Sequence, residues 1–326
     1  ISNRCANIPE GWCRAVVDVP PNLRKRLRKL QSDGGVQFHE RVDLREWTTL
    51  RVGGPADLMI RCRNEEAVQN TVDLLASHGI NWLILGAGSR LVFPDAGLRV
   101  PVLNLTGDLA RWEVDLDGLI AGAGAKLTQV GGSVARAGLS GMERLFGAQG
   151  SVGGAVCSTL KGDRRDVAHL LEWIEVVEPG RSRARVGHRG IEDSDISLCE
   201  TAGRYVVVRA RFGLHGDQPA AIHARIAAVE EDTGGWRTRF AAPVFAAPAG
   251  ENVEELILES GCGGMQVGTV QLSTQLSNAF STGRVATAED VIGLCRRVVS
   301  KVKVSSGITL TPRLCFVDEH GRRIDP

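Results

Sequence analysis

Two short stretches carry residue types that could bind a phosphate group. They are "LGAGSR", Leu85 to Arg90, and "GAQGSVGGAV", Gly147 to Val156. Each reads as a glycine loop that follows a strand. Glycine lets a backbone adopt positive φ and approach a ligand closely. Successive N–H groups left over by such a loop form a concavity for anions such as a pyrophosphate. Ser89 and Ser151 would add hydroxyl donors. One such loop is usually only a turn; two in one chain favour a ligand. The first is not a Rossmann dinucleotide turn. Its third glycine should fall at Leu91, and Pro94 and Pro101 interrupt the helix that should follow. It reads as strand, phosphate-sized loop and short strand.

The elements that must position these loops follow from periodicity. "TTLRVGGPADLMIRC" predicts a turn and then a strand with Leu58, Ile60 and Cys62 on one face. "NEEAVQNTVDLLASHG" predicts a helix that Asn64 caps, with acids in its first turn and Gly79 at its end. "INWLILGAG" is the next strand, which makes a βαβ start. Short, glycine-punctuated strands then run to Gly124, and "LTQVGGSVARAG" predicts a helix closed by Gly138. "LEWIEVVEPG" and "RYVVVRARFGL" are strands flanking a polar loop with His188 and Arg189. In the last third, "AAIHARIAAVEEDTG", "VEELILESGC" and "AEDVIGLCRRVVSKVKVSSG" read as helices. Short strands in "GMQVGTVQLS" and "ITLTPRLCFVD" complete a separate α+β block. Residues 1–36 read as irregular apart from a basic helix, "NLRKRLRKL". Its Leu23, Leu27 and Leu30 would dock while its arginines face water.

Bulk properties exclude several classes. The chain has 326 residues, room for two or three domains, and is 43% hydrophobic and 24% charged. Lys plus Arg number 39 against 38 acids, so no global pull on nucleic acid is expected. No apolar run is long enough to cross a bilayer, and no secretory leader is visible. The eight cysteines form no C-x-x-C and have no histidine pair at zinc spacing, so no metal is expected. They read as reduced thiols of a cytoplasmic protein, with Cys5 and Cys13 able to form a disulfide.

Four segments occur in order: "TTLRVGGPADLMI", "LGAGSRLVFPDAGL", "GMERLFGAQGSVGGAV" and "FSTGRVATAEDVIGL". Together they resemble the UDP-N-acetylenolpyruvoylglucosamine reductase (MurB) family, over about Asp43 to Asp318. The resemblance implies an α+β protein. Its two-subdomain FAD-binding domain is of the vanillyl-alcohol oxidase (PCMH) type, and a C-terminal α+β substrate domain of the MurB type follows. The divisions implied are an arm over 1–40, FAD subdomains over 41–104 and 105–213, and the substrate domain over 214–326. The family's T-x-x-x-G-G-P-A element matches Thr49, Gly53, Gly54, Pro55 and Ala56. Its G-G-G-S-N flavin loop matches Gly86, Ala87, Gly88 and Ser89, with Arg90 in place of Asn. Its P-G-x-x-G-G-A loop matches Gly150, Gly153, Gly154 and Ala155, with Ser151 between them and Gln149 in place of Pro. These are the residues expected to hold FAD.

The family's reaction is implied less completely. NADPH reduces the flavin, hydride passes to an enolpyruvyl double bond, an arginine and a glutamate stabilise the enolate, and a serine supplies a proton. The arginine's counterpart is Arg189, with His188 in place of Tyr and Ser194 displaced. The serine's place holds Pro243, and the family's lysine is Ala246. The glutamate's place holds Arg313. The substrate-loop element N-A-G-A-Y-G has become "STLKGDRRD", and K-H-A-N-F has become "QLSNA", which keeps Asn278. Proline has no proton to give, and Arg313 cannot act as an acid. The flavin half is kept and the reductase half rewritten. The expectation is therefore an FAD flavoprotein acting on a different small, anionic substrate, with Arg189, His188, Arg313, Asn278 and Lys161 at its site. NADPH is a possible electron donor. Two alternatives stay open. One is a protein of this fold that catalyses no redox step, which Arg90 motivates; the other is the ordinary reductase. Neither nucleic acid nor membrane is an expected partner, and the state expected is a monomer or weak homodimer.

Overall fold

The computed structural model describes residues 21–145, 149–160, 168–187, 205–233, 239–248 and 250–326. The first unit runs α1 (Pro21–Ser32), β1 (Val36–Asp43), a 3-10 turn (Leu44–Trp47), β2 (Pro55–Cys62), α2 (Glu65–Ser77), β3 (Leu83–Ile84), β4 (Leu91–Val92) and β5 (Val102–Leu105). Its sheet has the order β1-β2-β5-β3; β5 runs parallel to both β2 and β3, while β1 lies antiparallel on β2. The predicted βαβ start is present. Asn64 accepts the Ala67 N–H at 2.8 Å and so fixes where α2 begins. Met59 is as buried as Leu58, Ile60 and Cys62, so β2 is covered on both faces. The leucines of α1 dock as expected, with Leu23 and Leu27 buried.

The second unit runs β6 (Trp112–Val114), β7 (Gly118–Gly122), α3 (Leu127–Arg136), β8 (Leu139–Ser140), α4 (Val152–Leu160), β9 (Leu171–Val177), β10 (Ala184–Gly187), β11 (Val206–Gly213) and β12 (His215–Gly216). Its antiparallel sheet has the order β10-β9-β11-β7-β6. One large core is shared by these two units.

The third runs α5 (Pro219–Thr233), β13 (Phe240–Ala241), β14 (Phe245–Ala246), α6 (Val253–Glu259), β15 (Gln266–Val267), β16 (Val270–Leu272), β17 (Phe280–Thr282), α7 (Ala288–Ser306), β18 (Thr311–Pro312), β19 (Cys315–Val317) and β20 (Arg323–Ile324). Its sheet β13-β17-β16-β15 packs with α6 and α7 around a second core. Thr287 and Asp290 close a capping box at the start of α7, and Gly307, at φ 76°, ends it. None of the described helices is long and apolar enough to cross a membrane.

Three placements differ from the sequence reading. Residues 36–43, read partly as irregular arm, form the edge strand β1. The second glycine stretch, read as a loop, follows a 3-10 turn (Glu143–Leu145) rather than a strand, and from Val152 onward it is helix. Finally, β4 pairs with β19 in parallel, Leu91 opposite Cys315, so the strand leaving the first glycine loop joins a sheet of the third unit. A small third core (Leu44, Met59, Leu85, Phe93, Leu98, Val317 among its members) lies around that junction.

Candidate functional site

The first loop stands on this junction. Leu85 is buried beneath it and its N–H donates to the Leu103 carbonyl; Asn104 Nδ2 donates to the Leu85 carbonyl at 2.8 Å. Gly88 has φ +64°, and a Cβ there would collide with the Trp47 carbonyl, so only glycine fits. The Gly88 carbonyl accepts the Thr49 N–H at 3.0 Å. Trp47 also packs under the Arg61 guanidinium, 5.8 Å from the ring centroid. Among the described residues none accepts a backbone hydrogen bond from the N–H of Gly86, Ala87, Gly88 or Ser89. Four consecutive donors are left over, which is what an anion nest requires.

The second stretch does a different job. Ser151 precedes α4, and its Oγ accepts the Gly154 N–H at 3.2 Å, a helix N-cap. Val152 N–H donates to Ala125 O and Gly153 N–H to Ala123 O, so the first turn of α4 is used inside the protein. The two stretches touch: a Cβ on Gly86 would collide with Ser151 Oγ, and one on Gly150 would press on Leu127. Gly153, with no positive φ, lets α4 close on Ala123 of the strand-end turn. Of the two stretches, the first presents the open donors and the second braces it.

Gly53 and Gly54 are buried, and both are filled against Phe93 to Gly97; Gly54 N–H donates to Pro94 O at 2.9 Å. With Pro55, whose carbonyl accepts the Leu98 N–H, they hold the segment leaving the first loop. Thr49 lies between that loop and the third unit. Its carbonyl accepts the Arg239 N–H, and the Leu50 carbonyl accepts Thr282 Oγ1–H at 2.6 Å.

The third unit brings Arg313 to the loop. Its N–H donates to Val244 O at 2.8 Å, so it sits beside Pro243, and the Cys315 N–H donates to Arg90 O at 2.7 Å. Arg90 and Arg313 therefore lie at adjacent ends of β4 and β19. Both are half-buried. Burial first, and the Arg90 charge second, pull the Arg313 guanidinium down to about 10. Asn278 is buried differently. Its Oδ1 accepts the Val244 and Phe245 N–H groups at 3.2 and 2.8 Å, and its Nδ2 donates to Phe245 O at 3.0 Å. Its amide is committed to backbone, so it positions the Pro243 segment rather than facing a ligand.

Arg189, His188, Lys161, Ser194, Cys5 and Cys13 lie outside the described residues. Sequence reading missed Asp95. Its carboxylate accepts the Ala288 and Glu289 N–H groups at 2.9 and 3.2 Å, so a first-unit residue caps α7 from across the molecule. The only local signal was an aspartate in the turn "FPDAG".

Comparison with known proteins bears on this geometry. Residues 56–182 match the family described as FAD binding domain, and residues 236–317 match the UDP-N-acetylenolpyruvoylglucosamine reductase C-terminal domain. The UDP-N-acetylenolpyruvoylglucosamine reductase of Acidiphilium cryptum is 34% identical over 276 residues, covering 82% of this chain and 87% of that protein. That of Rubrobacter xylanophilus is 28% identical over 282 residues, covering 85% and 94%. The crystal structure of the Thermus caldophilus reductase (MurB) superposes with a TM-score of 0.70 at 28% identity, covering 86% of this chain and 99% of that one.

Proposed function

Because the chain belongs to the UDP-N-acetylenolpyruvoylglucosamine reductase family, we propose that it is an FAD-dependent oxidoreductase whose substrate differs from, or is altered from, enolpyruvyl-UDP-GlcNAc. FAD is the cofactor of this fold, and the residues present suit it. Four adjacent N–H groups at Gly86 to Ser89 await an anion, and the loop carrying them is braced by Ser151 and Trp47. Gly150, Ser151, Gly153, Gly154 and Ala155 form its other wall, and Thr49, Gly53, Gly54 and Pro55 hold its exit. Bound there, FAD would supply hydride exchange; NADPH is the proposed donor.

The observation that carries the altered substrate is the neighbourhood of Arg313. It sits beside Arg90, and its N–H reaches the residue after Pro243. The family resemblance puts a glutamate and a serine at positions 313 and 243. Their replacements meet in space, which favours a changed site over a slip in alignment. An arginine cannot donate a proton at neutral pH, and proline has none. Arg189 and His188 are proposed as further substrate contacts.

Purified protein should be yellow, with flavin absorbance, and the flavin should be reduced by NADPH. Addition of enolpyruvyl-UDP-GlcNAc should then give no sustained NADPH oxidation. Steady turnover with it would make the protein an ordinary member of the family and overturn the altered-substrate reading. A colourless preparation that takes up no FAD would overturn the redox reading as well, leaving a ligand-binding relative of the fold.

A further inference from the structure

We propose that Arg239 is a positioning residue. Its left-handed backbone locks segment 240–244 of the third unit to the first glycine loop through the peptide groups of Thr49, so a ligand held by the loop also orders that segment. Calling the ligand FAD rests on the function proposed above; the link itself rests on hydrogen bonds within the chain.

Among the described residues, Arg41, Arg51 and Arg239 are the non-glycine residues with positive φ, at 53°, 57° and 61°. Residues with a side chain visit that region rarely, and they stay in it where the surrounding structure overdetermines them. Two of the three meet at Thr49. Arg51 closes the turn that carries Thr49: its N–H donates to Thr48 O at 3.3 Å, and its Nη1 donates to Glu46 O at 3.1 Å. Arg239 is held from several sides. Its N–H donates to Thr49 O at 2.9 Å, and its carbonyl accepts the Thr282 N–H at 2.9 Å. Its Nη1 donates to Gly283 O at 2.7 Å. Thr282 Oγ1, which donates to Leu50 O at 2.6 Å, also lies 3.4 Å from the Arg239 carbonyl.

Thr49 therefore has a different unit on each side. Its N–H donates to Gly88 O at 3.0 Å, beside the open donors of the loop, while its carbonyl is taken by Arg239. Linked hydrogen bonds of this kind respond together, so a loop that closes on an anion acts on Thr49 and Arg239 in turn. From Arg239 the chain runs to Pro243, which stands where the family resemblance puts a serine. It then reaches Val244, whose carbonyl accepts the Arg313 N–H at 2.8 Å and whose N–H donates to Asn278 O at 3.1 Å. One end of the segment is thus anchored to the glycine loop and the other to Arg313. A β-branched residue cannot take the Arg239 conformation without strain and would swing the segment off Thr49.

The test uses the full chain with and without FAD. Affinity is read by flavin absorbance, and order by amide hydrogen exchange with mass spectrometry. In wild type, FAD should slow exchange at the loop and also over 239–246 and 279–283, by about fivefold or more. In R239V, FAD affinity should fall by about fivefold or more, and FAD should no longer slow exchange over 239–246. R239G and R239N admit the left-handed backbone, so both should keep the slowed exchange and an affinity within about twofold of wild type. Protection confined to the first two units in wild type overturns the proposal even if R239V fails to fold. An R239V protein that behaves as wild type overturns it as well. R239G as impaired as R239V would assign the effect to the Gly283 contact and overturn the conformational role. If wild type takes up no FAD, the cofactor reading falls by itself. ADP then serves as the ligand of the loop, and the same amides decide the link; binding of neither overturns both.

Discussion

Asn278 illustrates how a residue kept from a functional motif can be serving the backbone. Its three hydrogen bonds to Val244 and Phe245 are buried, and they fix the segment on which Pro243 and Arg313 depend. Asn278→Ala leaves the buried Phe245 N–H without its acceptor, at a cost of roughly 1–3 kcal/mol, while the Val244 N–H keeps its bond to the Asn278 backbone carbonyl at 3.1 Å. Its denaturation midpoint should fall by an amount equivalent to about 1–3 kcal/mol with the slope unchanged. FAD should still bind below the new midpoint. Full stability together with lost turnover would instead make Asn278 a group acting on substrate. The buried thiols belong to the same category of interior residue. Burial pushes Cys62 up to about 11 and Cys295 up to about 12, so neither is a thiolate at neutral pH. Arg313 is the opposite case: its burial was not legible in "LTPR", because the contact with Arg90 joins residues more than two hundred positions apart.

Among the elements, the long helices were legible and the short non-local pieces were not. α2 and α7 carry their own caps and an amphipathic period. By contrast α4 opens "VGGAVCS", a poor helix former by propensity, and it exists because Ser151 caps it and Gly153 lets it close on Ala123. Two-residue strands such as β4 have no period to read; only their partner identifies them. α5 was read correctly as a helix, but it lies on α3 and the Glu143 turn of the second unit. Arg225 on α5 donates to Glu143 at 3.0 Å, to Ser140 at 3.0 Å and to Asp217 at 2.6 Å. Burial pushes the Glu143 carboxyl up, yet hydrogen bonds from Ser140, the backbone and Arg225 outweigh it and hold it below its ordinary value. The Arg225 hydrogen bond, first among several causes, does the same to Asp217. A depressed carboxylate stabilises fully above its unfolded pKa, about 4, and that contribution is lost as pH falls through the folded value. Docking of α5 should therefore loosen in acid while α7 holds. Hydrogen exchange, corrected for intrinsic rates, should show α5 losing protection below about pH 4. Arg225→Gln should lower that protection at pH 7 and flatten its pH dependence. An unchanged profile in the variant would show that these ion pairs do not hold the helix.

At the scale of the whole molecule, the first loop is tied to the third unit at every exit. β4 pairs with β19, Asp95 caps α7, and Thr49 and Leu50 are held by Arg239 and Thr282. The first two units meanwhile share one core. Such a molecule has no place where the cofactor region could unfold while the C-terminal unit keeps its contacts. Removal of FAD should therefore lower the stability of the whole chain and not of one part. A ligand present at about 100 times its Kd stabilises the native state by about 2.7 kcal/mol, provided it does not bind the unfolded chain. At the roughly 2–4 °C per kcal/mol expected of domains somewhat smaller than this chain, the apoprotein should melt about 5–10 °C lower. In calorimetry both forms should give one transition, and FAD should move all of it. Near-UV signals from the tryptophans of the first two units, Trp47 and Trp173 among them, should be lost at the same temperature as the amide protection of α7. A thermogram with two peaks, of which FAD shifts only the lower, would show that the ladder between β4 and β19 does not couple the units.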